Sequence, residues 1–198
     1  MLRILLILAV GGTSIRAARY KLEFEDPNIF SPCIDGPPGS IGIPDAFNMD
    51  NMVFDLDEEG VHVSGNLTTK WNFPRTDRIS SEVHIMYLNR GTWESTIFNM
   101  HTPDFCAAIF NENLYWFKYW FKNIENREEI QEKCVATKDT VLKLYPFVLN
   151  LILENIRIPV SLGRYKTVFT LEAFDESEKR RPTSLCFEIK GQAAKMKD

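Results

Sequence analysis

Three histidines in 198 residues leave little material for imidazole chemistry, and the missing motifs remove more. No Gly-x-Ser-x-Gly elbow, Gly-rich phosphate loop or His-Glu-x-x-His helix occurs, so the spacings used by many hydrolases, phosphate binders and zinc peptidases are absent. His62 and His84 fall in alternating stretches and His101 lies beside a turn, which are positions of surface histidines rather than of bases. The four cysteines contain no Cys-x-x-Cys pair, and no histidine is spaced to complete a zinc site with them. Asp and Glu are plentiful, but nothing marks two of them as a glycosidase pair. No catalytic residue, metal or cofactor is expected. Clustered charge is also scarce: the formal net charge is −4, and its carriers are interspersed. Lys179-Arg180-Arg181 reads as a solvated loop, and Lys190, Lys195 and Lys197 as a chain end. No nucleic acid partner is expected, because phosphate binding needs a concentrated basic field. Asp55, Asp57, Glu59 and Gly60 imitate the opening of a calcium loop, yet Asn66 stands where the bidentate Glu belongs and the flanks alternate as strands do.

What is present begins at the N-terminus. Arg3 precedes an apolar run from Ile4 to Val10, followed by Gly11, Gly12, Thr13 and Ser14, the layout of a secretory signal peptide. Gly11, Gly12 and Arg16 interrupt the run too early for a membrane anchor, which needs ~20 apolar residues. The expected signal peptide covers 1–18, with the mature start between Ile15 and Arg19, and no later stretch could span a bilayer. The remainder, 19–198, has the size of one domain. A secreted, extracellular location follows, and there an even number of cysteines reads as two bridges. Three pairings are possible. Cys106 and Cys134 flank a predicted helix and its exit loop, whereas Cys33 and Cys186 sit near the two ends of the mature chain, so Cys33–Cys186 with Cys106–Cys134 is preferred. Asn66-Leu67-Thr68 is an acceptor for N-glycosylation.

Along the mature chain, Tyr20, Leu22 and Phe24 alternate with charges and predict a half-buried strand. The segment from Pro27 to Pro44 is too rich in Pro and Gly for a regular element and reads as a surface excursion pinned at Cys33. Strands are predicted at Phe47–Leu56 and Val61–Trp71, joined as a hairpin through Asp57-Glu58-Glu59-Gly60, and again at Ser80–Asn89 and Thr92–Met100. The pattern then changes. Thr102-Pro103-Asp104 offers a helix start, and a helix from Pro103 to about Asn123 would carry Phe105, Phe110, Trp116, Phe117, Trp120 and Phe121. Aromatic residues occur almost all the way round it, whereas a surface helix shows one apolar stripe. The helix is therefore either buried on most sides, as core packing, or interrupted and partly folded over an apolar ligand space, as a ligand portal or a partner surface. These six residues are the candidate ligand contacts, with Trp116 and Trp120 four apart on neighbouring positions of one face. Strands follow at Val141–Leu153, Gly163–Phe174 and Leu185–Gly191. The expected class is all-β: a β-sandwich or open β-cup with an apolar cavity and one inserted aromatic-rich helix.

The string LKLYPFVLNLILENIRIPVSLGRYKTVFTLEAFDE, followed by SLCFEIKGQ, resembles the insect CheB family of secreted chemosensory proteins, distant relatives of the ganglioside activator and ML-type lipid-recognition domains. Tyr145-Pro146-Phe147, Ile158-Pro159 ahead of Gly163-Arg164-Tyr165, and Cys186-Phe187 carry the match, and chain length and the aromatic segment between Cys106 and Cys134 agree with it. The resemblance implies a β-cup around an apolar cavity, no catalytic residues, and a role in detecting lipid-like pheromones or other hydrophobic cues. The implied partner is a hydrophobic small molecule or lipid. The alternative is a module whose aromatic helix docks on a sensory-neuron membrane receptor or channel without holding lipid. Two pairings of the ganglioside activator, from the N-terminal segment to the last strand and across the central segment, match the preferred bridges.

Overall fold

The computed structural model describes residues 18–156 and 160–196. The expected signal peptide lies outside the described residues apart from Ala18, as do 157–159 of the link ahead of Gly163 and Lys197 of the basic tail.

Alternation of apolar and polar side chains produces strands through most of the chain. The first is β1 (Ala18–Phe24). The Pro-rich segment contributes two short strands, β2 (Ser31–Pro32) and β3 (Ser40–Ile41), and one helical turn, α1 (Ile43–Ala46). After β4 (Phe47–Asn48) come the hairpins β5 (Met52–Leu56) with β6 (Val61–Thr69), and β7 (Arg78–Asn89) with β8 (Thr92–Thr102). The β7–β8 turn is Arg90-Gly91, both at positive φ, 48° and 85°; this is the backbone that a two-residue hairpin needs to follow strand twist.

The segment between β8 and the next strand departs from the single long helix predicted over 103–123. It contains α2 (Phe105–Ala108), α3 (Tyr115–Tyr119), a 3-10 turn (Phe121–Asn123) and α4 (Arg127–Lys133). Asp104 is the N-cap, its carboxylate accepting from Ala107 N at 3.0 Å. The break after α2 is local chemistry: Asn111 Oδ1 accepts from Asn113 N at 3.0 Å, an Asx turn that competes with helical bonding. The ring-rich stretch that follows has weak helix propensity, and at Trp120 the backbone leaves the helix at φ −131°, ψ −65°.

The chain ends in β9 (Val141–Leu149), β10 (Leu151–Ile156), β11 (Gly163–Phe174) and β12 (Arg180–Lys195). Two layers result, antiparallel throughout except for the short parallel pairing of β3 with β12. One sheet runs β10-β1-β12-β11-β7-β8, with β2 and β3 also paired to β12; the other has β6 at its centre, β4 and β5 on one edge and β9 on the other. The stretch expected as one strand over 141–153 is divided at Asn150, so β9 belongs to one sheet and β10 to the other. This is an all-β sandwich opened into a cup.

Two bridges fasten the irregular segments: Cys33–Cys186 ties the Pro-rich segment to β12, and Cys106–Cys134 ties α2 to the end of α4. The Pro-rich segment is not the surface excursion expected from its composition. Ile29 and Ile43 are buried, because β2 and β3 dock it on β12 and turn its few apolar side chains inward.

Candidate functional site

The inner faces of the two sheets do not meet everywhere. Between them lies a cavity of about 200 Å³, lined from β11 and β12 by Phe169, Leu171, Leu185, Phe187 and Ile189. The opposite wall is Met52 and Phe54 of β5, Leu67 of β6, and Leu142 and Leu149 of β9. Alternation of side chains places each inside: on β12, Phe187 and Ile189 face the cavity while Glu188 faces away. Phe169 and Phe187 stack at 4.8 Å between centroids, and Phe30 packs edge-on to both Phe187 and Phe54.

The cavity's remaining side is the helical segment. Phe105, Tyr115, Trp116, Tyr119, Trp120 and Phe121 contribute to its lining. Trp116 is wedged between Phe105 and Phe169, at 5.1 and 5.3 Å, and Trp120 lies 5.6 Å from Phe147. No residue of α3 is buried; Tyr115 is 48% exposed, its ring stacked on Tyr119. Tyr119 Oη donates to the carbonyl of Ile152 on β10 at 2.5 Å. Burial, and then the neighbouring Tyr115, pushes the Tyr119 phenol above its ordinary pKa, so it remains a donor. The short helix is thus a thin wall with one face on the cavity, one in solvent, and a hydroxyl tether to the strands.

Four of the six candidate contacts, Phe105, Trp116, Trp120 and Phe121, line the cavity. Phe110 and Phe117 do not: Phe110 packs edge-on behind Phe121, and Phe117 lies under the Arg127 guanidinium at 5.3 Å. The sequence reading missed Phe30, Ile43, Tyr115 and Tyr119, as well as the strand residues. A signal for the first two was present, since Ile29, Phe30 and Ile43 are apolar in a segment otherwise read as solvated.

Among the described residues no group of three or more His, Cys, Asp or Glu is placed to hold a metal ion. His62, His84 and His101 are each paired at the surface with Asp57 or Glu82. Asp55, which opened the imitation calcium loop, lies on β5 opposite His62 of β6, so strand pairing occupies that stretch. Asn66 lies on the outer face of β6, opposite Lys143, between inward Val63 and Leu67. Among the described residues no helix is long and apolar enough to cross a membrane.

The stretch that builds the thin wall also carries a family match. Residues 82–167 match DUF1091, a family described as "Protein of unknown function". The DUF1091 match runs from β7 through the helical segment to the first part of β11, and so includes α3 and both Trp116 and Trp120. It omits β12, Phe30 and the hairpin β5–β6, which complete the cavity. No curated protein matches the chain.

Proposed function

We propose that this protein is a secreted, non-enzymatic binder of a hydrophobic, lipid-like ligand. The observation that carries the reading is the apolar cavity of about 200 Å³ between the sheets. A fully packed sandwich has few voids larger than a water molecule, whereas an apolar cavity of about 150 Å³ stays dry and admits benzene. Ligand pockets of ~300–1,000 Å³ are more usual, so a long chain would enter only with displacement of a wall, and α3 is the thinnest. Secretion is supported by the two bridges and by the N-terminal pattern. A role in chemosensation, in the manner of CheB proteins, rests on the resemblance of the sequence.

The test is to extract the protein, purified from insect-cell medium, with organic solvent and to identify the extract by mass spectrometry, then to titrate an apolar fluorescent probe. Trp120→Ala is expected to weaken probe binding severalfold while costing clearly less than the ~3–5 kcal/mol of a Trp→Ala change in a closed core. Loss of stability at that full cost, with probe affinity unchanged, would return Trp120 to core packing. An empty extract together with no probe binding would favour the second reading, supported by the exposed Tyr115 ring: docking of the aromatic segment on a membrane receptor or channel.

A further inference from the structure

The cavity lining holds a closed circuit of aromatic rings. Trp116 of α3 lies 5.3 Å from Phe169 of β11, Phe169 lies 4.8 Å from Phe187 of β12, and Phe187 lies 5.4 Å from Phe30, centroid to centroid. Phe30 in turn lies 6.1 Å from Trp120, which follows Trp116 by four positions and closes the circuit. All five side chains line the cavity. Within the circuit one pair has a defined attitude. Phe169 and Phe187 are direct cross-strand partners, and their ring planes are only 10° apart. Parallel rings at that distance are stacked face over face, because side by side their carbon atoms would come closer than the ~3.5 Å of contact. Their separation matches the spacing of neighbouring strands, about 4.8 Å, so the stack runs along the sheet. Both rings therefore stand upright on it, with their C–H rims toward the cavity. A ring's rim is electropositive and its face electronegative.

Building on the proposed binding role, we infer that the ligand carries an aromatic ring whose face lies on the rims of Phe169 and Phe187. A saturated group of the same size buries as much apolar surface but has no negative face to offer. The upright pair thus separates aryl from alkyl groups, which non-directional apolar contact does not do. The cavity, about 200 Å³, has the scale of one such ring, since an apolar cavity of about 150 Å³ admits benzene. This recognition uses ring quadrupoles and no hydrogen bond. The hydroxyls of Tyr115 and Tyr119, whose rings stack on each other at the α3 wall, take no part in it.

The experiment compares toluene with methylcyclohexane, which have the same number of non-hydrogen atoms, by headspace partition into solutions of the full chain. The ring-proton resonances of Phe169 and Phe187 in the wild type are followed at the same time. The expected result is that Phe169→Leu loses about three- to tenfold in affinity for toluene, the range of a ring–ring contact, and keeps its methylcyclohexane affinity within about twofold. In the wild type the rim protons of both rings move upfield with toluene, because they come to lie over the face of the bound ring, and do not move so with methylcyclohexane. Should Phe169→Leu fail to fold, the wild-type resonances decide alone. Equal loss for both ligands, binding of methylcyclohexane without toluene, or ring resonances that toluene leaves in place while it binds, overturns the aryl assignment and leaves hydrophobic binding standing. Failure of both ligands to bind the wild type overturns the binding reading itself and this inference with it.

Discussion

A buried carboxylate held by two lysines lies on the other side of β12 from the cavity. Glu188 is 1% exposed; Lys166 Nζ donates to its Oε1 at 2.8 Å, and Lys190 Nζ sits 3.2 Å from Oε2. Lys166 is buried as well, its ammonium 5.3 Å from the Trp93 ring. Burial works to raise the Glu188 pKa, but the two ammonium groups outweigh it and hold the carboxyl below its ordinary value. Glu188→Gln strands two cations around a neutral amide and is expected to cost ~3–5 kcal/mol, as breaking a buried pair does, read as a lowered urea midpoint. A depressed folded pKa contributes stability that is present above the unfolded value, about 4.3 for Glu, and lost as pH falls through the folded value. The gap between wild type and Glu188→Gln should therefore narrow on acidification below about pH 4.3; a constant gap would contradict the ion-pair account. None of this was legible in the sequence, where Lys166, Glu188 and Lys190 are three charges among many and only the pairing of β11 with β12 brings them together.

At the scale of elements, the contrast between strands and helical segment is instructive. Strand β11 occupies the predicted Gly163–Phe174 and the β7–β8 hairpin turns where expected, because period-two patterning and turn residues are local signals. The helical segment is legible in the sequence as helical and aromatic, with an interruption as one of its alternatives, but the place of the break is set by the Asx turn at Asn111. Among the described residues, a single one holds α3 to the strands by hydrogen bond, through Tyr119 Oη to Ile152 O. Tyr119→Phe is expected to cost no more than ~0.5–1.5 kcal/mol of global stability, the net worth of one hydrogen bond. It should also accelerate entry of an apolar probe in stopped-flow fluorescence, because a wall with no buried residue then opens more often. An unchanged entry rate would move the ligand's path away from α3.

For the whole molecule, the bridges close loops of 28 and 153 residues. On the chain-entropy model they contribute about 3.6 and about 5 kcal/mol, with the mechanism disputed. Their placement matters as much as their worth. Each fastens an irregular segment that completes the cavity, the Pro-rich segment carrying Phe30 and the helical segment carrying Trp116. The outer face of the smaller sheet presents Asn66 opposite Lys143, away from the cavity. A glycan there is expected when the chain passes through a eukaryotic secretory pathway, seen as a mobility shift on glycosidase treatment of protein made in insect cells. No shift would count against use of this acceptor.

The sequence by itself determined the β-rich class, the hairpins, the helical character of the segment after β8 and its load of aromatic rings, because each is written in spacings of a few residues. The absence of catalytic spacings was equally plain there. Tertiary structure alone decided that β9 and β10 belong to different sheets, that Phe110 and Phe117 stand behind the cavity wall, and that Phe30 enters from a segment read as solvated. The physical reason is common to all three. A cavity is what remains where two inner faces and a loop fail to fill the space between them, so its outline depends on contacts between residues more than a hundred positions apart, such as Phe30 with Phe187.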